Sequence, residues 1–309
     1  MLTAIPLLAL LTAAKPPPPL PALPPLTLPL SSPIITATLA GLPLTLRIDP
    51  ATTQQVALNA SAARRLDLAN PARLVAGRPP ERGRMRVLIG KISVSEDTTT
   101  AILDIAGRPV LVTLAYGNRD YIPDADGSIN PMLLPHDEVR LTRRPITVTD
   151  AVTILPLDFT PDRGLVTATQ IGKRQIDVII APMAAETIAT AAAAAFLAET
   201  GGGHLSGPIR HAPIAHGVSR PVRNVTFDTP VDIAGFRLNS VPARIFDWSG
   251  RTRIPTETLP DDELVATARF DAQRQWAKLA IGNDRLSTCA QVTWRRAPLT
   301  LELTCPALP

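Results

Sequence analysis

Cysteine is nearly missing from this 309-residue chain, which has only Cys289 and Cys305. They do not form a C-x-x-C redox pair, and no His lies near enough in sequence to suggest zinc. Histidine is also scarce, at four. Three of these, His204, His211 and His216, fall in one Pro/Gly-rich stretch with no Cys or acid interleaved. That stretch reads as a flexible surface loop, not a metal site. Aromatic residues make up 4%, and the formal charge of +4 comes from scattered Arg with no long basic run. The stacking platforms and charged stripe of a nucleic-acid binder are therefore missing. No glycine motif cradles a phosphate. Gly203-His204-Leu205-Ser206-Gly207 has its Ser in the wrong place for a nucleophile elbow and reads as a loop. No cofactor, metal or nucleic-acid partner is expected.

Apolar residues, by contrast, reach 45%, enough to bury a real core in one large or two ordinary domains. Residues 1–14, MLTAIPLLALLTAA, form an apolar stretch closed by small residues. It is too short to span a bilayer comfortably and fits a cleaved export signal, although no Lys or Arg precedes it. A mis-set start or a retained anchor is the alternative. Residues 15–33, KPPPPLPALPPLTLPLSSP, read as a polyproline-type tether with a reach of roughly 50–60 Å; a stalk or a ligand for a proline-binding module is the other reading. In an exported chain Cys289 and Cys305 would form a disulfide, contributing about 3 kcal/mol. The expected location is periplasmic or secreted. The sequons at Asn59 and Asn224 matter only where exported proteins are glycosylated.

The chain contains a repeat about 130 residues apart. The first copy is ATLAGLPLTLRIDPATTQQVAL, from Ala37, and the second is ATQIGKRQIDVIIAPMAAETIAT, from Ala168. Each has a Gly turn, an alternating apolar run, a turn with Pro second, and a small-residue segment. Two copies imply two lobes. Short alternating segments separated by turn residues make both all-β, over residues 34–155 and 165–309, with Pro156–Gly164 as the connector. Expected strands in the first lobe include Leu44–Ile48, Arg86–Val94, Thr100–Ile105, Val110–Leu114 and Ile146–Leu155. In the second they include Val222–Phe227, Val231–Ile233, Val241–Phe246, Leu264–Phe270, Trp276–Ile281, Ala290–Trp294 and Leu299–Thr304. Short helices are expected at Ser61–Leu66, capped by Asn59, and within Ala184–Thr200, closed by Gly201-Gly202-Gly203.

This order resembles the retropepsin/pepsin family of aspartic proteases. The two turns, Asp49-Pro50-Ala51-Thr52 and Ala181-Pro182-Met183-Ala184, stand where that family places its Asp-Thr/Ser-Gly turns. The later segments Asp126–Leu134 and Leu279–Leu286 stand where a hydrophobic–hydrophobic–Gly run supports each turn, with Gly282 kept and Asn130 in place of the other Gly. Asp261–Val265 and the paired Cys289 and Cys305 look like exported bacterial members with two lobes. The resemblance implies two pseudo-twofold-related β-barrel lobes, with Asp49 at the first catalytic position and Ala181 at the second.

An aspartic protease needs two carboxylates sharing one proton, one to activate water and one to donate to the scissile carbonyl. Ala181 cannot ionise, Pro50 and Pro182 carry no hydroxyl, and Ala51 and Met183 replace the Gly that lets backbone approach the reacting centre. Asp177 lies on the same strand as Ala181 but about 13 Å away, and Asp124, Asp126 and Asp284 read as turn and capping residues. The expectation is a catalytically inactive, aspartyl protease-like monomer whose interlobe cleft, floored by Pro50, Ala51, Pro182 and Met183, binds extended peptide. The alternatives are an active endopeptidase using Asp49, or a structural, envelope-associated domain on a proline-rich stalk.

Overall fold

The computed structural model describes residues 23–53, 55–70, 81–89, 92–160, 163–245 and 276–307. The 1–14 segment, the first part of the proline-rich lead, the expected strand Leu264–Phe270 and the Asp261–Val265 run lie outside these residues. The described chain is mostly β. In the N-terminal part it forms β1 (Leu26–Pro29), β2 (Ile34–Leu39), β3 (Leu42–Ile48), β4 (Gln55–Leu58), helix α1 (Ala60–Arg65), β5 (Arg82–Ile89), β6 (Ile92–Ile105), β7 (Arg108–Tyr116), β8 (Gly127–Ile129) and β9 (Glu138–Thr142). Strands β2-β3-β8-β4-β7-β6 close into a barrel, with β6 pairing back onto β2 and β5 added outside β6. Closure removes the free edges that a short-stranded sheet would otherwise expose. On β3, Leu44, Leu46 and Ile48 are fully buried while Thr45 and Arg47 between them are not, the period-two alternation of a strand with one face in the core.

The chain continues through β10 (Asp150–Pro156), β11 (Asp158–Thr160), β12 (Gly164–Ile171), β13 (Arg174–Ile180), β14 (Ile188–Ala189), helix α2 (Ala191–Gly201), β15 (His204–Ala215), β16 (Val218–Ile233), β17 (Phe236–Arg244), β18 (Lys278–Ile281), helix α3 (Asn283–Leu286), β19 (Gln291–Arg296) and β20 (Leu299–Pro306). A sheet of order β11-β12-β13-β18-β14-β17-β16-β15 makes the second unit. Its centre repeats the first. Strand β3 runs parallel to β8, β8 antiparallel to β4, and β4 parallel to β7. In the same senses, β13 pairs with β18, β18 with β14, and β14 with β17. The duplication seen in the sequence is thus a duplication of strand pairing.

A third sheet, β1-β9-β19-β20-β10, draws strands from both halves of the chain. Its β10, expected within the first lobe, pairs with β20 near the C-terminus. Cys289 and Cys305 form a disulfide that ties the segment after α3 to β20.

Several local expectations are corrected. The proline-rich lead is not spacer throughout: Leu26–Pro29 pairs in parallel with β9, because Leu and Thr alternate there and β1 is an edge strand, which tolerates Pro. The connector Pro156–Gly164 contains β11. Helix α2 begins at Ala191, and only the later part of the expected segment is helical, because Ile188 and Ala189 are used as strand; Thr190 caps it and Gly202 closes it with φ +69°. Asn59 precedes α1, but its side chain makes no cap bond. It binds the Ile122 and Ala125 carbonyls instead, and Asp120 accepts from the Ser61 amide in its place. The three-His stretch and Gly203–Gly207 are largely the long hairpin β15–β16, not a loop. Pro208 and Pro213 misled the reading because β15 is an edge strand, where Pro loses no ladder bond.

Candidate functional site

Each repeated turn follows directly from its strand pairing. After β3, the Asp49 amide donates to the Ile129 carbonyl at 3.0 Å, and the Thr52 amide donates back to the Asp49 carbonyl at 3.1 Å. After β13, the Ala181 amide donates to the Ile281 carbonyl at 2.9 Å, and Ala184 donates to the Ala181 carbonyl at 2.9 Å. Asp49 and Ala181 therefore hold the same backbone position in the two units. A carboxylate projects from one and a methyl group from the other.

The supports below the turns differ. In the first unit Asn130, fully buried, donates its amide to the Pro50 carbonyl at 3.2 Å and the Thr52 carbonyl at 2.6 Å. The Thr52 and Ser128 hydroxyls meet at 2.8 Å. In the second unit Gly282 lets the Glu186 backbone come close; its amide donates to the Thr187 hydroxyl at 3.0 Å, and that hydroxyl donates to Asp284 Oδ1 at 2.8 Å. Pro50 and Pro182 are buried, Met183 is half-buried and Ala51 is exposed. The start of β12 passes against the Asp49 turn, where a Cβ on Gly164 would lie 3.3 Å from the Thr52 carbonyl oxygen.

Asp49 is half-buried and its Oδ1 accepts from the Ala51 amide at 2.9 Å. Burial raises its pKa. The Ala51 N–H and the charges of Lys278, Arg47 and His216 oppose that rise. Lys278 and His216 belong to the second unit, so basic groups are what that unit brings near Asp49. The Lys278 amine sits 4.6 Å from the Trp276 ring centroid. Burial, and then the Arg244 charge, depress its pKa to about 8, against the pull of Asp49.

A second cluster adjoins the first. Glu96 on β6 is only 2% exposed. Its Oε1 accepts from the Tyr121 hydroxyl at 3.1 Å and lies 2.8 Å from His216 Nδ1. The Tyr121 and His216 rings are 5.2 Å apart. Burial, the Glu96 carboxylate and Asp49 raise the Tyr121 pKa. Sequence reasoning did not find Glu96, Tyr121, Lys278 or the role of His216. The available signals were a Lys directly before the apolar run Leu279–Ile281, and a His-Gly pair at a hairpin tip.

The other acids are used structurally. Asp177 is buried and receives Trp276 Nε1 at 2.7 Å and Arg163 at 2.9 Å. Asp126 binds the Thr45 amide and hydroxyl, both at 2.9 Å, and Asp124 pairs with Arg47 at 3.3 Å. Among the described residues no group of three or more His, Cys, Asp or Glu converges to hold a metal ion, and no helix is long and apolar enough to cross a membrane. A cavity of about 670 Å³, lined in part by Arg64, Asp67, Arg84, Asp97 and Tyr116, touches neither Asp49 nor Ala181. In comparisons with known protein families and with curated proteins, the sequence matches none.

Proposed function

We propose that the chain is an aspartic-peptidase-like protein of two pseudo-twofold-related lobes, catalytically inactive, that holds an extended peptide in the cleft between them. The observation that carries this reading is the equivalence of Asp49 and Ala181, whose amides make the same bond in the two repeats. A proton-sharing dyad needs an acid at both places. Here the second unit offers Asp49 the charges of Lys278 and His216, which favour an ionised carboxylate and cannot supply the missing acid. Strand-edge pairing with an extended peptide is the binding mode such lobes suit. The Cys289–Cys305 disulfide is compatible with a periplasmic or secreted protein; monomeric export is part of the same proposal.

Incubating the purified protein with a denatured substrate from pH 2 to 7 tests the inactive half of the reading. The expected result is no cleavage; pepstatin-sensitive cleavage lost in Asp49→Asn would replace it with the endopeptidase reading. One observation favours that second reading: burial raises the Asp49 pKa, as a general acid requires. The binding half is tested by panning a peptide library, and failure to retain any sequence would reject it.

A further inference from the structure

Lys278 is a cation without an anion. Among the described residues its amine makes no hydrogen bond and no ion pair; what it meets is the face of the Trp276 ring, 4.6 Å from the centroid. The acid best placed to serve it is committed elsewhere. Asp177 is the register partner of Lys278 across β13 and β18. Its Oδ2 accepts from Trp276 Nε1 at 2.7 Å and from Arg163 at 2.9 Å, and its Oδ1 from Gln175 at 3.3 Å. Asp177 thus holds the indole by its edge and leaves the amine unpaired. The backbone here is fixed as well: Thr190 Oγ1 accepts from the Lys278 amide at 2.9 Å and donates to the Trp276 carbonyl at 3.0 Å.

Strand register sets a second cation at the same level. Ala189 of β14 pairs with Leu279 of β18 on one side and with Ala243 of β17 on the other, and all three side chains lie in the core. Lys278 and Arg244 are the next residues in each direction, so they emerge on the opposite face of the sheet, two strand spacings or about 10 Å apart at the backbone. Both are half-buried. On that face Ala280 and its register partner Ile188, also half-buried, make an apolar floor beside Lys278. The same strand continues to Ile281, whose carbonyl receives the Ala181 amide, three residues or about 10 Å from Lys278. A cation drawn partly out of water beside a like charge is stabilised by an anion. Neither the adjacent acid nor the adjacent hydroxyl supplies one.

We propose that Lys278 and Arg244 form an anion-receiving subsite on the second unit, and that the extended peptide held by this protein carries an Asp or Glu side chain whose carboxylate meets Lys278. This rests on the peptide-binding reading and gives that peptide its charge. The Ala280–Ile188 floor takes an apolar neighbour of the acid, and the carboxylate replaces the counter-ion that Asp177 does not provide. Charge complementarity selects the partner here, since an amide in place of the acid leaves the ammonium as it stands.

The test pans a randomised library of short peptides, acetylated and amidated so that side chains alone carry charge, against the purified protein. Retained sequences are expected to hold Asp or Glu at one position. Replacing that acid by its amide is expected to weaken binding to the parent at least about tenfold, and to Lys278→Met less than about twofold. Should Lys278→Met fail to fold, the parent decides alone. Lys278 is one of four lysines, and the carbon-13 resonance of its Cε is expected to move when the retained acidic peptide is added and to stay when the amide counterpart is added. Retained peptides without an acid, an acid preference that survives Lys278→Met, or a Cε resonance indifferent to the acid each overturn the subsite while peptide binding stands. A library that retains nothing rejects peptide binding, and the subsite with it.

Discussion

Asn130 and Gly282 occupy the same place in the two repeats, one residue beyond the strands β8 and β18, yet only the first has room for a side chain. Asn130 fills its space and bridges the Pro50 and Thr52 carbonyls. A Cβ on Gly282 would sit 2.3 Å from the Glu186 carbonyl carbon and 2.4 Å from its oxygen. The two turns are therefore held up by different means, a side-chain amide in one case and backbone crossing in the other.

Gly282→Ala is expected to destabilise the protein by about 3 kcal/mol or more, because the clash is with backbone that cannot swing aside. Gly117→Ala is the control: its nearest neighbour would be Glu96 Cγ at 3.6 Å, an ordinary contact, and its effect should stay within about 0.5 kcal/mol. Urea unfolding midpoints of the two variants check the difference. Equal shifts would mean that the crossing at Gly282 is not tight.

Asn130→Ala removes both bonds to the Asp49 turn and leaves two carbonyls unpaired below it. The expected loss is about 2–3 kcal/mol, the cost of stranding buried acceptors. Asn130→Asp should be worse at neutral pH, since it turns an acceptor-only carboxylate toward carbonyl acceptors, and should recover on acidification. Thermal unfolding at pH 4 and pH 7 reads both effects; an Asp variant as stable as the parent at pH 7 contradicts the bonding described.

Lys278 predicts an alkaline signature. Its folded pKa, about 8, lies below the unfolded value of 10.5, so the unfolded chain binds more protons between these values. Stability should consequently rise with pH across that window. Because Lys278 is half-buried, the gain is of the order of 1–2 kcal/mol after solvent screening. Lys278→Met should remove it. Parent-minus-variant stability from pH 7 to 10.5 is the measurement, and a flat difference refutes the shifted amine.

The duplicated turn was legible in the sequence because Asp49 and Ala181 sit at the same offset from alternating runs, and strand period and breakers are local signals. The all-β class followed from the same short segments. What escaped reading is non-local. The pairing of β10 with β20 depends on contacts more than 140 residues apart, which no local pattern encodes. Glu96 looked like one polar residue among several in β6; it became important only because His216, 120 residues later, meets it. Lys278 was hidden for a similar reason: a Lys beside Leu279 reads as a solvated strand position until the Asp49 turn is brought near it. The His-rich stretch misled through composition, since Pro208, Pro213 and Pro221 signal loops everywhere except at sheet edges and strand irregularities.

Asp49→Asn joins the acid and the lysine in one test. Burial raises the folded pKa of Asp49 above its ordinary 3.8, so the native state holds this proton more tightly than the unfolded chain. Its contribution to stability is therefore largest in acid and declines as pH rises from about 3.8 through the folded value. Asn, which never ionises, should remove that decline and leave the variant more stable relative to the parent at pH 7 than at pH 3. It should also deprive Lys278 of a nearby negative charge that holds its pKa up. The alkaline rise in stability should then begin below pH 8. If the acid limb flattens but the alkaline limb stays where it was, Asp49 and Lys278 do not act on each other, and the acid-facing-base arrangement across the two units fails.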